Sequence, residues 1–296
     1  MPKTPASLTR IFSDHWDAYM RWDPTFATMC GDHRFDDQLG GADESHYTDW
    51  LDQLRKFRKR LDKFDPSRLG PADRLNYDYF ALMLDSEITS LGLSAYHLSI
   101  SRAGGFHTFF PDLYQLMSFE NTGGYENYLA RLEKMRKYFE ESIDLMRLGL
   151  QTGFIPARVT LEGIDKSIRT QIIEDPNQSV FFEPFKKFPA SISGVEQERL
   201  IEAAHAAITG SVAPAYEALL KFFKEEYYPA SRSSIAAIEL PNGHEYYRQR
   251  IRFFTTLDLS PEEIHKTGQN EVRHIRAEME DVIRQTGFSG DFRTFI

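Results

Sequence analysis

The chain has 296 residues, with 35 Lys and Arg against 44 Asp and Glu, for a formal net charge of −9. That acidic balance argues against a protein that holds nucleic acid through its phosphates. The single cysteine, Cys30, rules out an internal disulfide or a cysteine metal cluster. No run approaches the roughly 18 apolar residues of a membrane span, and the N-terminus lacks the apolar core of a signal peptide. The expectation is a cytoplasmic protein with no membrane partner.

The chain begins with a helical face formed by Leu8, Ile11, Phe12, Trp16, Tyr19 and Met20. Asp23-Pro24 ends that helix and caps a short one, which Gly31 stops. Cys30 reads as a small buried hydrophobe, because the sequence shows no base that would activate it. Asp32 opens a polar loop that runs to Glu44. A second amphipathic helix spans about residues 45–64. Its basic run, Arg55-Lys56-Phe57-Arg58-Lys59-Arg60, reads as a solvated face beside Leu51, Leu54 and Leu61. Gly70-Pro71 opens a third helix, with Leu75, Tyr79, Leu82 and Ile88 directed inward.

Residues 94–119 have no helical period. They carry Gly104-Gly105, His97, Arg102, His107 and the aromatics Phe106, Phe109 and Phe110. The segment reads as a long irregular stretch with room for a short strand, its phenylalanines plugging the core beneath. A long helix follows over about residues 124–150, closed by Gly153. Pro156 starts another, with Val159, Ile164, Ile168 and Ile172 inward, and Asp175-Pro176 ends it. Phe181-Phe182-Glu183-Pro184-Phe185 is an apolar connector. Residues 195–226 are helical, and Pro214 predicts a kink or break near Gly210-Ser211, because proline removes a ladder hydrogen bond. Residues 235–239 read as a short strand.

The last fifty or so residues are the most specific. Leu240-Pro241-Asn242-Gly243 is a turn: proline presets φ, and Asn and Gly tolerate the left-handed region. Ser260, Pro261 and Glu263 form a capping box that opens a helix. Ile264, Val272, Ile275, Met279 and Val282 form its apolar stripe, with Gly268 leaving space for another backbone to approach. Phe288, Phe292, Phe295 and Ile296 follow without an element to cover them. His244-Glu245-Tyr246-Tyr247-Arg248 imitates a His-Glu-x-x-His zinc motif, but Arg248 stands where the second imidazole belongs and is a permanent cation. Asp43/His46, Glu202/His205, Glu262/His265 and Glu271/His274 have the acid-x-x-His spacing of di-iron bundles. Glu262 lies where the helix dipole alone favours an acid, and His205 reads as a core-edge histidine. No metal is expected in this chain.

The run Leu240-Pro241-Asn242-Gly243-x-x-Tyr246-Tyr247, then Thr255-Thr256 and Leu259-Ser260-Pro261-Glu262-Glu263-Ile264-His265-x-x-Gly268, resembles the bacterial family called domain of unknown function 885. Gly31 with His33-Arg34-Phe35-Asp36-Asp37, Phe109-Phe110-Pro111, Gly153-x-x-Pro156 and Glu226-Tyr227-Tyr228-Pro229 support the resemblance. It implies a zinc-metallopeptidase-like protein about twice this length, of which this chain matches the N-terminal half. The implied zinc motif, His-Glu-x-x-Pro-Gly-His, lies in the other half and is absent here. Zinc is then expected in that missing C-terminal half, which becomes the intramolecular partner, and the substrate is peptide-like. In such a protein a zinc-bound water, activated by the motif's glutamate, attacks the peptide carbonyl. Relatives of this type are sometimes exported.

The expectation is an all-α fold, an array of long antiparallel helices with at most a small β element. It forms a single helical domain over residues 1–296 that supplies one wall of a substrate cleft. Asn242, Gly243, Tyr246 and Tyr247 are the candidate substrate contacts, since tyrosine joins apolar area to a polar tip. The alternative class is a non-enzymatic helical binding module, complete as it stands.

Overall fold

The structure is a computed structural model and describes residues 6–296. Helix makes up 74% of the chain. The sheet among the described residues is a single antiparallel pair, β1 (Ile100–Ser101) with β2 (Gly104–Gly105). The all-α expectation therefore holds. Contacts divide the chain into two compact units, Met1–Gly243 and His244–Ile296, where the sequence reading draws a single domain.

The first unit opens with α1 (Ala6–Trp22) and α2 (Pro24–Met29). Asp23 caps α2 by accepting a hydrogen bond from the Phe26 amide at 2.9 Å. α3 (Glu44–Leu61) and α4 (Pro71–Gly92) follow and pack on α1 around Leu8, Ile11, Trp50, Leu54, Leu61 and Leu84. α5 (Phe106–Phe109) leads into α6 (Thr122–Thr152), the 31-residue helix at the centre of a larger core. Tyr125, Tyr128, Leu132, Met135, Phe139 and Met146 are its buried side. α7 (Ile164–Arg169), α8 (Gly194–Ala207), α9 (Ala213–Phe222) and α10 (Tyr228–Ala230) complete this unit.

Between α8 and α9 the helix widens into a π-helical turn, Ile208–Val212. This is the break that Pro214 predicts: a residue without an N–H cannot close the normal ladder. The turn is held from outside. Ser211 Oγ lies 2.8 Å from the Leu132 carbonyl and 3.0 Å from that of Glu133, and accepts from the Arg136 amide at 3.1 Å. Arg131 anchors another part of the unit. Its side chain is fully buried and donates to the carbonyls of Gln38 (2.9 Å) and Pro24 (3.1 Å) and to Thr28 Oγ1 (2.7 Å). It fastens the loop after α2 to α6.

The second unit contains most of α11 (Gly243–Thr255), α12 (Pro261–Gln285) and α13 (Phe292–Phe295). The capping box at α12 forms as expected: Glu263 N lies 3.1 Å from Ser260 Oγ, and Ser260 N lies 2.8 Å from Glu263 Oε2. The end of the chain is ordered into a helical turn capped by Asp291. Phe292 lies under the Arg276 guanidinium, and Phe288 meets Phe295 edge-on at 5.3 Å. Phe292 thus lies against α12, whereas Phe288, Phe295 and Ile296 stay 37, 44 and 83% exposed, with little cover.

Several expectations are corrected. Cys30 is exposed, because it follows the last turn of α2 at the surface. Leu75 and Tyr79 are 70% and 68% exposed, and α4 buries Asp73, Tyr77, Phe80 and Leu84 instead. Val159 and Trp16 are also exposed. Residues 235–239 contain a 3-10 turn, Ala237–Glu239, and the extended pairing lies just before it, where Arg232 bridges to Ala157. Gly268 has nothing within 4 Å of a built Cβ, so no backbone approaches it closely.

Candidate functional site

Where α1, α3 and α4 meet the turn Ala95–His97, aromatic rings gather around one carboxylate. Trp22, at the end of α1, stacks on His46 (ring centroids 5.0 Å apart) and on Trp50 (5.1 Å). Tyr19, one helical turn earlier, stacks on Trp22 and Trp50 at 5.6 and 5.7 Å. Tyr47 stacks face to face on Tyr96 at 4.6 Å. Trp50 is buried, whereas Tyr19, Trp22, His46, Tyr47, Glu87 and Tyr96 are half-buried. The rings thus form the edge of the smaller core, with their polar tips largely drawn inward.

Hydrogen bonds fix the column. Trp22 Nε1 donates to the His46 carbonyl at 3.2 Å, and Trp50 Nε1 donates to Glu87 Oε1 at 2.7 Å. Gly40 and Gly41 let the preceding loop lie against it. Gly40 has φ +79°, and a Cβ at Gly41 would come within 3.0 Å of His46 Nδ1. A side chain there would crowd the imidazole that stacks on Trp22.

The titratable groups are displaced from their ordinary ranges. Burial raises the Glu87 carboxyl, opposed by its hydrogen bond from Trp50. Burial lowers the His46 imidazole, against the pull of Asp43, Asp23 and Glu141. The Tyr47 hydroxyl is pushed up to about 12 by burial, with Asp23 adding to it, and burial also raises Tyr19 and Tyr96. At neutral pH the cluster therefore presents neutral imidazole, neutral phenols and one half-buried carboxyl. These are groups that bind by stacking and hydrogen bonding.

The residues singled out from sequence lie elsewhere. Asn242 takes a left-handed φ of 53°, and Gly243 N donates to the Leu240 carbonyl at 2.8 Å, closing the predicted turn. A Cβ on Gly243 would sit 2.3 Å from the Ala237 carbonyl oxygen, so glycine is required there. Asn242 and Gly243 belong to the first unit, and Tyr246 and Tyr247 to the second. Tyr247 is 40% exposed and Tyr246 is half-buried. Of the acid-x-x-His pairs, Asp43 caps α3 through the His46 amide at 2.8 Å. His205 stacks on Phe182 at 4.8 Å and meets Asn177 at 3.0 Å, which is the core-edge role expected of it.

Sequence reasoning missed the aromatic cluster because its members span residues 19 to 96 and share no spacing. The available signal was that two of the three tryptophans belong to it. The described residues do not fit zinc. Among them no group of three or more His, Cys, Asp or Glu is placed around a common point, and Arg248 occupies the position of a second histidine ligand.

Comparison with known proteins places this geometry in context. Residues 24–296 match a family described as "Bacterial protein of unknown function (DUF885)". No curated protein matches the chain. A crystal structure described as that of a "putative lipoprotein" from Colwellia psychrerythraea is similar in fold, with a TM-score of 0.84 and 18% sequence identity. The match covers 96% of this chain and 52% of that one, so this chain spans about half the length of the solved relative.

Proposed function

This chain belongs to the bacterial family of unknown function DUF885, and from that premise we propose that it is the helical, substrate-binding part of a peptidase-like hydrolase. The observation that carries the reading is the set of stacked rings, half-buried Tyr19, Trp22, Tyr47 and Tyr96 with buried Trp50, whose Trp50 is bonded to the Glu87 carboxyl. Ring faces take apolar side chains, and phenol and carboxyl tips take backbone amides, which together suit an extended peptide. The reading keeps Asn242 and Gly243, of the first unit, as candidate substrate contacts, and Tyr246 and Tyr247, of the second, as a separate candidate pair. In this reading zinc chemistry belongs to a partner half of a longer polypeptide, and among the described residues no group of three or more His, Cys, Asp or Glu is gathered to hold a metal.

The test uses tryptophan emission from the purified chain, titrated with a set of defined tetrapeptides. Saturable quenching by at least one peptide is expected, weakened severalfold by Glu87→Gln, which keeps an acceptor for Trp50. A set that leaves the emission unchanged removes the reading. Binding by this chain, together with no hydrolysis by a longer in-frame product carrying His-Glu-x-x-Pro-Gly-His, would favour a stand-alone binding module over the hydrolase.

A further inference from the structure

α12 has 25 residues, and only Ile283 among them is buried. Its stripe faces water: Val272, Ile275, Met279 and Val282 are 69, 50, 42 and 57% exposed. Counted from Gly268, the steps of four, three, four and three residues average the 3.5 spacing of a helix that packs against another helix. In that register Val272 and Met279 take the a positions, and Ile275 and Val282 take the d positions. Gly268, the preceding d position, has open space around it and permits close approach at the start of the seam.

The flanks choose the occupant. Glu271 and Glu278 fall at g, and Arg276 falls at e. Two parallel copies of α12 bring Glu271 of each against Arg276 of the other, twice by symmetry. An antiparallel pair sets the glutamates against one another and loses both attractions. Arg276 is also held in advance, lying over the Phe292 ring and bonded through Nε to Glu280 at 2.7 Å, so little of its freedom is lost on pairing. The geometry points to a second copy of this chain as the partner of α12, paired in parallel through Val272, Ile275, Met279 and Val282. The pairing does not depend on the hydrolase reading. Two heptads make a short seam, so a weak, concentration-dependent dimer is expected.

Sedimentation equilibrium over a concentration series tests it. The expected result is a reversible monomer–dimer system that Ile275→Glu weakens at least tenfold. Because Ile275 is half exposed in the single chain, circular dichroism of that variant should show unchanged helix. Glu271→Arg and Arg276→Glu should each weaken the dimer, and the two together should restore it. In a Cys30→Ser background, Val272→Cys should give a disulfide-linked dimer on oxidation, since a positions face each other only in a parallel pair. A monomer at every concentration, a dimer indifferent to Ile275→Glu, or a double charge swap that fails to restore pairing overturns the proposal.

Discussion

Arg131 shows how much a single buried cation can hold. It is fully buried, and burial lowers its pKa only to about 10, so it stays charged. Its bonds to the Gln38 and Pro24 carbonyls and to Thr28 are its compensation, with Asp36 3.9 Å away. Arg131→Met would take the charged donor from the Gln38 and Pro24 carbonyls and from Thr28, leaving Pro24 only its bond from Thr28 Oγ1, and should cost about 3 kcal/mol in urea unfolding; a loss near zero would mean that water replaces the guanidinium. Two buried histidines set a pH dependence. Burial lowers His15 and His107 to about 4, against 6.5 for a free imidazole, and His15 Nε2 and His107 Nδ1 have no hydrogen-bond partner. Below about 6.5 the unfolded chain takes up protons that the folded one refuses. Stability is therefore full above that pH, declines as pH falls, and levels off below about 4, by on the order of 3 kcal/mol per histidine. Denaturant midpoints measured across that window should show the decline, and His15→Phe should lessen it by the His15 share while the His107 share remains. None of this was legible in the sequence, where an arginine or histidine is read as a surface residue until its neighbours are known.

At the scale of elements, what could be read depended on whether the signal was local. The start of α12 was legible because a capping box lies within four residues. Ser260→Ala removes the acceptor for the Glu263 amide and should cost about 1 kcal/mol, seen as faster amide exchange in the first turn of α12 while its later turns are unchanged. Equal acceleration along the whole helix would mean that the cap governs more than its own turn. The π turn at Ile208–Val212 was legible too, because Pro214 forces it. α4 was not. Its buried stripe, Asp73, Tyr77, Phe80 and Leu84, includes an acid, and most of its residues from Ala81 to Leu91 are half-buried, so it has no clean apolar side to read. Residues 94–119 read as irregular, and within them residues 95–116 form a chain of short turns around the β1–β2 pair. The aromatic cluster at Glu87 lay beyond reach for a related reason: it exists only once three helices and a turn have converged.

Across the whole molecule the core is unevenly shared. Every member of the two buried clusters lies in the first unit, from Leu8 to Tyr227, and the partly buried residues packed against them extend only to Tyr228. The buried hydrophobic residues of the second unit are Ile251 and Ile283. The sequence marked the place where the units divide, since Leu240-Pro241-Asn242-Gly243 was legible as a turn. That it separates two bodies depends on contacts between residues far apart in the chain, which no local pattern records. The imbalance has a consequence for stability. At about 25 cal/mol per Å² of apolar surface removed from water, two aliphatic side chains supply only a few kcal/mol. Ordering some fifty residues costs roughly 1–2 kcal/mol for each backbone. Residues 244–296 made alone should therefore show little fixed helix by circular dichroism, despite the capping box. A chain ending at Gly243 keeps both clusters and should unfold in urea as one cooperative transition, with a midpoint close to that of the full chain. If the shorter chain instead lost its cooperative transition, the second unit would be a support for the first, and the placement of stability in the α6 core would have to be abandoned.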